Sequence, residues 1–217
     1  MTDFAARRTM MVDTQVRPSD VTKFPIIDAM LRVAREDFVP AAKREAAYMG
    51  ENLDLGGART ILEPRTLAKM LDALDLSIDE LVLDIGSAVG YSAAVIAHMA
   101  EAVVAVEDDE ALASEAQEAL SDAGVDNVVV HVGALSEGAE QHGPYDVIVV
   151  QGGVMQLPDA IAAQLKEGGR IACLFMDGAL GEVRIGRKQN GKISWRMAFN
   201  AGAPVLPGFQ RATAFQL

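Results

Sequence analysis

Two carboxylates and two glycines carry the chemistry that is legible in this chain. Asp84 lies in the apolar run Leu81-Val82-Leu83-Asp84-Ile85, Gly86 and Gly90 punctuate the turn Gly86-Ser87-Ala88-Val89-Gly90, and Glu107 ends a second apolar run, Val103-Val104-Ala105-Val106. An apolar run without polar alternation reads as a parallel strand buried on both faces. Glycines after such a strand let the backbone turn sharply and approach a ligand closely. A helix starting near Tyr91 would aim its unpaired N–H groups and positive dipole end at that ligand. Glu107 lies 21 residues after Gly86, where an acid ending the second strand accepts hydrogen bonds from a ribose diol. This order of parts is the front half of a nucleoside-cofactor site.

The loop separates two cofactor classes. Dinucleotide sites carry Gly-x-Gly-x-x-Gly so that a pyrophosphate can lie against the backbone. Here Ala88 holds the place of the middle glycine and the spacing is Gly-x-x-x-Gly. That pattern favours S-adenosylmethionine over NAD and reads as the glycine loop of a class I methyltransferase. Asp84, Gly86, Ser87, Gly90 and Glu107 are the expected cofactor-binding residues. None of His98, His131 and His142 shares metal-ligand spacing with another histidine or an acid pair, so no metal is expected. Cys173 is the single cysteine, in the strand-like run Ile171-Ala172-Cys173-Leu174-Phe175, and reads as a buried structural thiol.

The elements that must position these residues follow from periodicity. Residues 3 to 47 read as helices, with Ile26, Ile27, Met30, Leu31, Val33 and Phe38 on one buried stripe, Pro25 opening one helix and Pro40 ending another. Gly50 to Thr60 reads as a loop. A helix over Pro64 to Leu74 leads through the cap signal Ser77-x-x-Glu80 into the first cofactor strand. Further strands are expected at 127–132, 145–151 and 170–175, with helices over 109–123 and 158–165, the last ended by Gly168-Gly169. Strands alternating with helices imply right-handed crossovers and a parallel sheet. The C-terminal part changes period: 182–188 and 192–200 flank Asn190-Gly191, a hairpin signal, and a last strand is expected over 209–217. The fold class is therefore α/β: a doubly wound, mostly parallel sheet of the class I methyltransferase (Rossmann-like) type, with antiparallel C-terminal strands and an N-terminal helical cap. Residues 1–60 are expected to form the cap and acceptor loop, and residues 61–217 the cofactor domain, in one compact unit.

Composition bounds the partners. Of 217 residues, 50% are apolar and 23% charged, which suits a folded domain rather than a disordered chain. The net charge of −12 would repel a phosphate backbone, so small molecules or peptides are expected as substrates rather than nucleic acid. The N-terminus has no apolar signal core, and the longest apolar region, Ser92 to Val106, is broken by His98 and Glu101. No membrane partner is expected and the cytoplasm is the natural location.

With these elements placed, the chain resembles the protein-L-isoaspartate O-methyltransferase family over nearly its whole length. The resemblance rests on Met11-Val12-x-x-Gln15, on Asp28-Ala29-Met30-x-x-Val33-x-Arg35-Glu36-x-Phe38-Val39-Pro40, on Ala47-Tyr48 and on Thr60-Ile61-Leu62-Glu63-Pro64. It continues through Asp84 to Tyr91, Val106-Glu107, Asn127-Val128, Tyr145-Asp146-x-Ile148-x-Val150 and Gln164-Leu165-Lys166-x-Gly168-Gly169-Arg170. The Arg-Glu-x-Phe-Val-Pro segment is more specific than the glycine loop. What the resemblance implies is methyl transfer from S-adenosylmethionine to the α-carboxylate of an isoaspartyl residue in a peptide or protein, followed by spontaneous succinimide formation. Thr60 would then hold the acceptor carboxylate, and Tyr48 would line its pocket or pack as a helix-end aromatic.

The chain departs from the family pattern at four places. Leu62 replaces the serine of Thr-Ile-Ser, Arg59 stands where glutamine is usual, Gly133-Ala134-Leu135 replaces Gly-Asp-Gly, and Ala88-Val89 interrupt the glycine loop. Arg59 is expected either to grip the acceptor carboxylate in bidentate fashion, in place of the missing serine, or to sit solvated on the surface. Leu62 and Ala134 keep two alternatives open: a methyltransferase on the same scaffold with another acceptor, and a catalytically silent cofactor-binding or interaction module.

Overall fold

A computed structural model describes residues 3–211. The chain runs through α1 (Phe4–Met11), α2 (Phe24–Arg32), β1 (Leu53–Gly56), β2 (Arg59–Ile61), α3 (Pro64–Leu74), β3 (Leu81–Ile85), α4 (Tyr91–Ala97) and β4 (Ala102–Glu107). It continues with α5 (Glu110–Asp122), β5 (Val128–Val132), β6 (Tyr145–Val154), α6 (Asp159–Gln164), β7 (Leu165–Asp177), β8 (Leu180–Gln189) and β9 (Lys192–Ala201). Seven of the strands form one sheet in the order β5-β4-β3-β6-β7-β8-β9. Pairing is parallel from β5 to β7 and antiparallel for β8 and β9, as the change of period implied. The β8–β9 turn is made by Asn190 and Gly191, both left-handed, which matches the twist of a two-residue hairpin.

The alternation of side chains along the central strands sets which residues meet. Val82, Val103, Ala105, Val147 and Val149 face one core cluster, together with α2, α3 and α4; Leu83, Ile85, Val104, Val106, Ile148 and Val150 face the other, with Leu206 and Phe209. Because successive residues point to opposite faces, Asp84, Glu107 and Gln151 share the parity of the first set. All three therefore lie on the face covered by the N-terminal elements. The strand order departs in opposite directions from β3, toward β4 on one side and β6 on the other. Such a switch point opens a crevice at the carboxyl ends of the strands, where ligands of open α/β sheets bind.

Three expectations are corrected. The segment read as a loop over 50–60 contains the antiparallel pair β1–β2, with Leu53 opposite Ile61 and Asp54 opposite Thr60. Left-handed Gly57 and Ala58 make its turn, a signal obscured because the strands are too short for periodicity. Gly168-Gly169 does not end α6; β7 already begins at Leu165 and passes through both glycines. Phe209–Arg211 is not strand, and residues 212–217 of the expected last strand lie outside the described residues. The N-terminal region is helical as expected, although α1 runs on into a π-turn at Val12–Val16 and a 3-10 turn at Arg17–Ser19. Among the described residues, no helix is long and apolar enough to cross a membrane.

Candidate cofactor and acceptor site

The glycine turn and the strand-end acid meet at the tips of β3 and β4. Gly86 and Gly90 are both left-handed, and Gly90 caps α4 at the point where an added Cβ would stand 3.2 Å from the Ala116 Cβ of α5. Only glycine gives this turn without strain, which is why the loop can lie tight against the sheet. Glu107 is fully buried. Its Oε2 accepts the backbone N–H of Ala88 at 2.9 Å, tying the acid directly to the loop. Its Oε1 accepts the N–H groups of Asp108 (3.0 Å) and Asp109 (3.2 Å) as β4 gives way to α5.

Arg59 completes the surroundings of Glu107. From the start of β2 its Nε donates to Glu107 Oε1 at 2.7 Å, and its Nη2 pairs with Asp108. The side chain is only 4% exposed, so the reading of a solvated surface arginine is overturned. Nor is the guanidinium free for an acceptor carboxylate in this structure: two edges of the fork already face Glu107 at the end of β4 and Asp108 just beyond it. Burial pushes the Glu107 carboxyl upward, and the Arg59 guanidinium opposes that shift by favouring the charged form. Two polar atoms here are buried with no hydrogen-bond partner, Arg59 Nη1 and Ser87 Oγ. Buried polar groups without partners are rare in native proteins and mark positions where a ligand or water completes the bonding. The strand-end acid and the orphaned Ser87 hydroxyl suit a ligand bearing a nucleoside diol, so the residues present fit an adenosine-type cofactor.

Asp84, the other expected cofactor-binding acid, makes its bonds within the fold. It is fully buried, its Oδ2 accepts Ser92 Oγ at 2.5 Å and its Oδ1 accepts Gln151 Nε2 at 2.7 Å. Each oxygen thus has one partner inside the fold, on α4 and on the end of β6. Burial raises its carboxyl to about 6 despite the two donors. These bonds tie the end of β3 to α4 and to β6. Gln151, which the sequence did not single out, shares its face by strand parity.

The residues expected to serve the acceptor lie on β2 and the segment leading to α3. Thr60 is buried and its hydroxyl donates to the Leu53 carbonyl at 3.1 Å, so its side chain stitches the hairpin. Leu62 packs in the core, as its type suggests, and its carbonyl accepts Arg35 Nη2 at 2.9 Å. Arg35 is completely buried, donates Nε to the Ala47 carbonyl at 2.7 Å and lies 4.5 Å from the centre of the Tyr91 ring. It thus links the Arg-Glu-x-Phe-Val-Pro segment to the acceptor segment and to the first residue of α4. Tyr48 accepts Arg8 Nε at 2.9 Å and donates to Glu36, and Arg8 reaches Glu36 at 3.0 Å. Tyr48 is thereby fixed in a polar cluster under the cap. Ala134 is followed by Leu135, which is buried against the second core cluster, while the Gly133 N–H donates to the Glu107 carbonyl at 3.0 Å.

The chain as a whole has counterparts among known proteins. The sequence profile described as Protein-L-isoaspartate(D-aspartate) O-methyltransferase matches residues 7–200. The chain belongs to this family. It is 41% identical over 170 residues to Protein-L-isoaspartate O-methyltransferase 1 of Rhodopseudomonas palustris (strain HaA2), covering 78% of this chain and 69% of that one. It is 38% identical over 171 residues to the protein of that name from Syntrophus aciditrophicus (strain SB), covering 79% and 78%. A solved protein-L-isoaspartate O-methyltransferase superposes with a TM-score of 0.82 at 25% identity, over 93% of this chain and 66% of that chain. A putative protein-L-isoaspartate O-methyltransferase from Plasmodium falciparum, solved with S-adenosyl-L-homocysteine, shares the fold with a TM-score of 0.79 at 19% identity, over 95% and 99% of the two chains. The isoaspartyl methyltransferase family thus accounts for the cap, the mixed sheet and the order of motifs.

Proposed function

We propose that the tips of β3 and β4 hold S-adenosylmethionine and that the β1–β2 hairpin with the segment to Pro64 presents an isoaspartyl carboxylate to it. The reaction is that of the family: an S-adenosylmethionine-dependent carboxyl methyltransferase acting on isoaspartyl residues of peptides or proteins. The observation that carries the reading is the bond from the Ala88 N–H of the glycine loop to Glu107, which brings loop and acid into one cradle. Glu107 takes the ribose diol, and the turn from Gly86 through Ser87 to Gly90 faces the rest of the cofactor. Asp84 acts behind them as a positioning residue. Thr60 orders the hairpin, with its backbone rather than its bonded hydroxyl left for the acceptor.

When bound, the cofactor supplies an electrophilic methyl on a sulfonium with a good leaving group. A carboxylate acceptor has an ordinary pKa of about 4 and arrives ionised at neutral pH, so no general base is needed. The chain's task is orientation and exclusion of water. The buried Arg35 holds the Leu62 carbonyl, and so the acceptor segment, against the first turn of α4. A net charge of −12 disfavours nucleic acid as substrate, and the cytoplasm is the working compartment of this reading.

The test is transfer of radiolabelled methyl from S-adenosylmethionine to an isoaspartyl peptide and to its aspartyl twin. Labelling of the isoaspartyl peptide alone is expected. Labelling of neither, with S-adenosylhomocysteine still bound, would give the scaffold another acceptor; absence of binding would favour an interaction module.

A further inference from the structure

Arg59 sits where the cofactor reading places the ribose. Glu107 Oε1, one of the two oxygens a diol would address, already accepts Arg59 Nε at 2.7 Å along with two backbone N–H groups. The guanidinium is held there by a second acid, Asp108, whose side chain is 32% exposed at the rim. The seat is nonetheless incomplete, because Arg59 Nη1 is buried without a partner, as is the Ser87 hydroxyl of the glycine turn. A cation this well paired on one side and unsatisfied on another is bound in a place that a better-matched group can take. Gly86 to Tyr91, the turn that bonds Glu107 through the Ala88 N–H, are all buried in this arrangement.

We propose that Arg59 is a displaceable occupant of the ribose position: cofactor entry exchanges the Arg59–Glu107 contact for a diol–Glu107 contact, and Arg59 thereby sets cofactor affinity. This deepens the cofactor reading given above and rests on it. No bond is made or broken covalently; the guanidinium gives up Glu107 together with its latch on Asp108. The apparent dissociation constant equals the intrinsic one divided by the fraction of molecules in which Arg59 has swung away. Removing the guanidinium removes that factor. It also leaves Glu107 its three backbone donors, from Ala88, Asp108 and Asp109, so the carboxylate is not stranded.

The experiment is calorimetric titration of S-adenosylhomocysteine, and of 5′-methylthioadenosine with and without its 2′- and 3′-hydroxyls, into the parent chain, Arg59→Gln and Asp108→Asn. Arg59→Gln is expected to bind S-adenosylhomocysteine at least about tenfold more tightly, and Asp108→Asn, which only loosens the latch, a few-fold more tightly. Both gains should appear with methylthioadenosine and vanish with its dideoxy form, since that ligand has no diol to compete. Asp108→Asn keeps the buried Arg59–Glu107 pair and decides the matter if Arg59→Gln does not fold. Unchanged or weaker binding by the folded variants would overturn the proposal while leaving the cofactor reading intact. Binding by none of the three proteins would remove the cofactor reading and the proposal with it.

Discussion

Replacing Arg35 by Met tests how the N-terminal cap is locked to the segment between β2 and α3. The side chain is completely buried, and among the described residues no carboxylate pairs with it. Its partners are the carbonyls of Ala47 and Leu62, at 2.7 and 2.9 Å, and the face of Tyr91 at 4.5 Å. Hydrogen bonds from a charged donor contribute about 1.5–3 kcal/mol each, and a desolvated stacked cation adds roughly 1–2 kcal/mol. Against this stands the desolvation of a guanidinium, several kcal/mol, raised further by the partnerless Nη1. Met preserves most of the aliphatic volume, so the change removes the charge and leaves two buried carbonyls bare at about 1–3 kcal/mol each. Lost bonds outweigh relieved desolvation, and a net destabilisation of about 2–4 kcal/mol is expected, which for a chain of this size lowers Tm by roughly 4–16 °C. Urea denaturation of both proteins gives the free energy, and hydrogen exchange gives its location: amides around Leu62 and Glu63 should exchange faster in Arg35→Met beyond the global change. If the variant is as stable as the parent, or exchange near Leu62 is unchanged, the guanidinium does not tie the two segments together.

The raised carboxyl of Asp84, about 6 against an ordinary 3.8, makes the folded chain take up a proton that the unfolded chain has lost. The stability from this group is present below about pH 4, fades as pH rises through about 6, and leaves a cost of up to about 3 kcal/mol above that. Asp84→Asn should therefore gain on the parent by that order between pH 4 and pH 7.5 in denaturation free energy; parallel curves for the two would refute it. Gly90→Ala places a Cβ 3.2 Å from Ala116 at φ +88°, and should cost about 1–3 kcal/mol of stability and weaken S-adenosylhomocysteine binding, whereas an unchanged Tm and affinity would show the turn to be tolerant. Burial pushes the Cys173 thiol far up and leaves it inaccessible, so a thiol reagent should label native protein no faster than the chain unfolds; rapid labelling without denaturant would contradict the placement.

Much of the molecule was legible before any coordinates. The central strands were readable because a doubly buried strand has to be an unbroken apolar run, and β3 and β4 begin and end within a residue or so of where those runs do. Helix α3 was readable because its amphipathic run begins at a proline suited to a first turn. Asn190-Gly191 gave the C-terminal hairpin for the local reason that both residues accept left-handed backbone. Gly86, Gly90 and Glu107 pointed to one cradle through spacing alone, because the strand and helix lengths of a βαβ unit fix how far along the chain the second strand must end.

What spacing does not encode is which side chains from distant segments meet at that cradle. Arg59 is 48 residues from Glu107 and comes from a three-residue strand with no periodicity to announce it; its type permitted a carboxylate-gripping role, and only the packing of β1–β2 over the sheet decided which carboxylate it found. Asp84 carried the motif signal of a ligand-binding acid, and only the packing showed that Ser92 and Gln151 each donate to one of its oxygens. Arg35 lay in the most distinctive segment of the sequence without a hint of its partners, since those are backbone carbonyls and leave no mark on residue type. Local preferences and apolar periodicity determined the elements and their order; the pairing of buried charges was decided by tertiary contact, because desolvation makes each buried charge depend on whichever group the fold brings within reach.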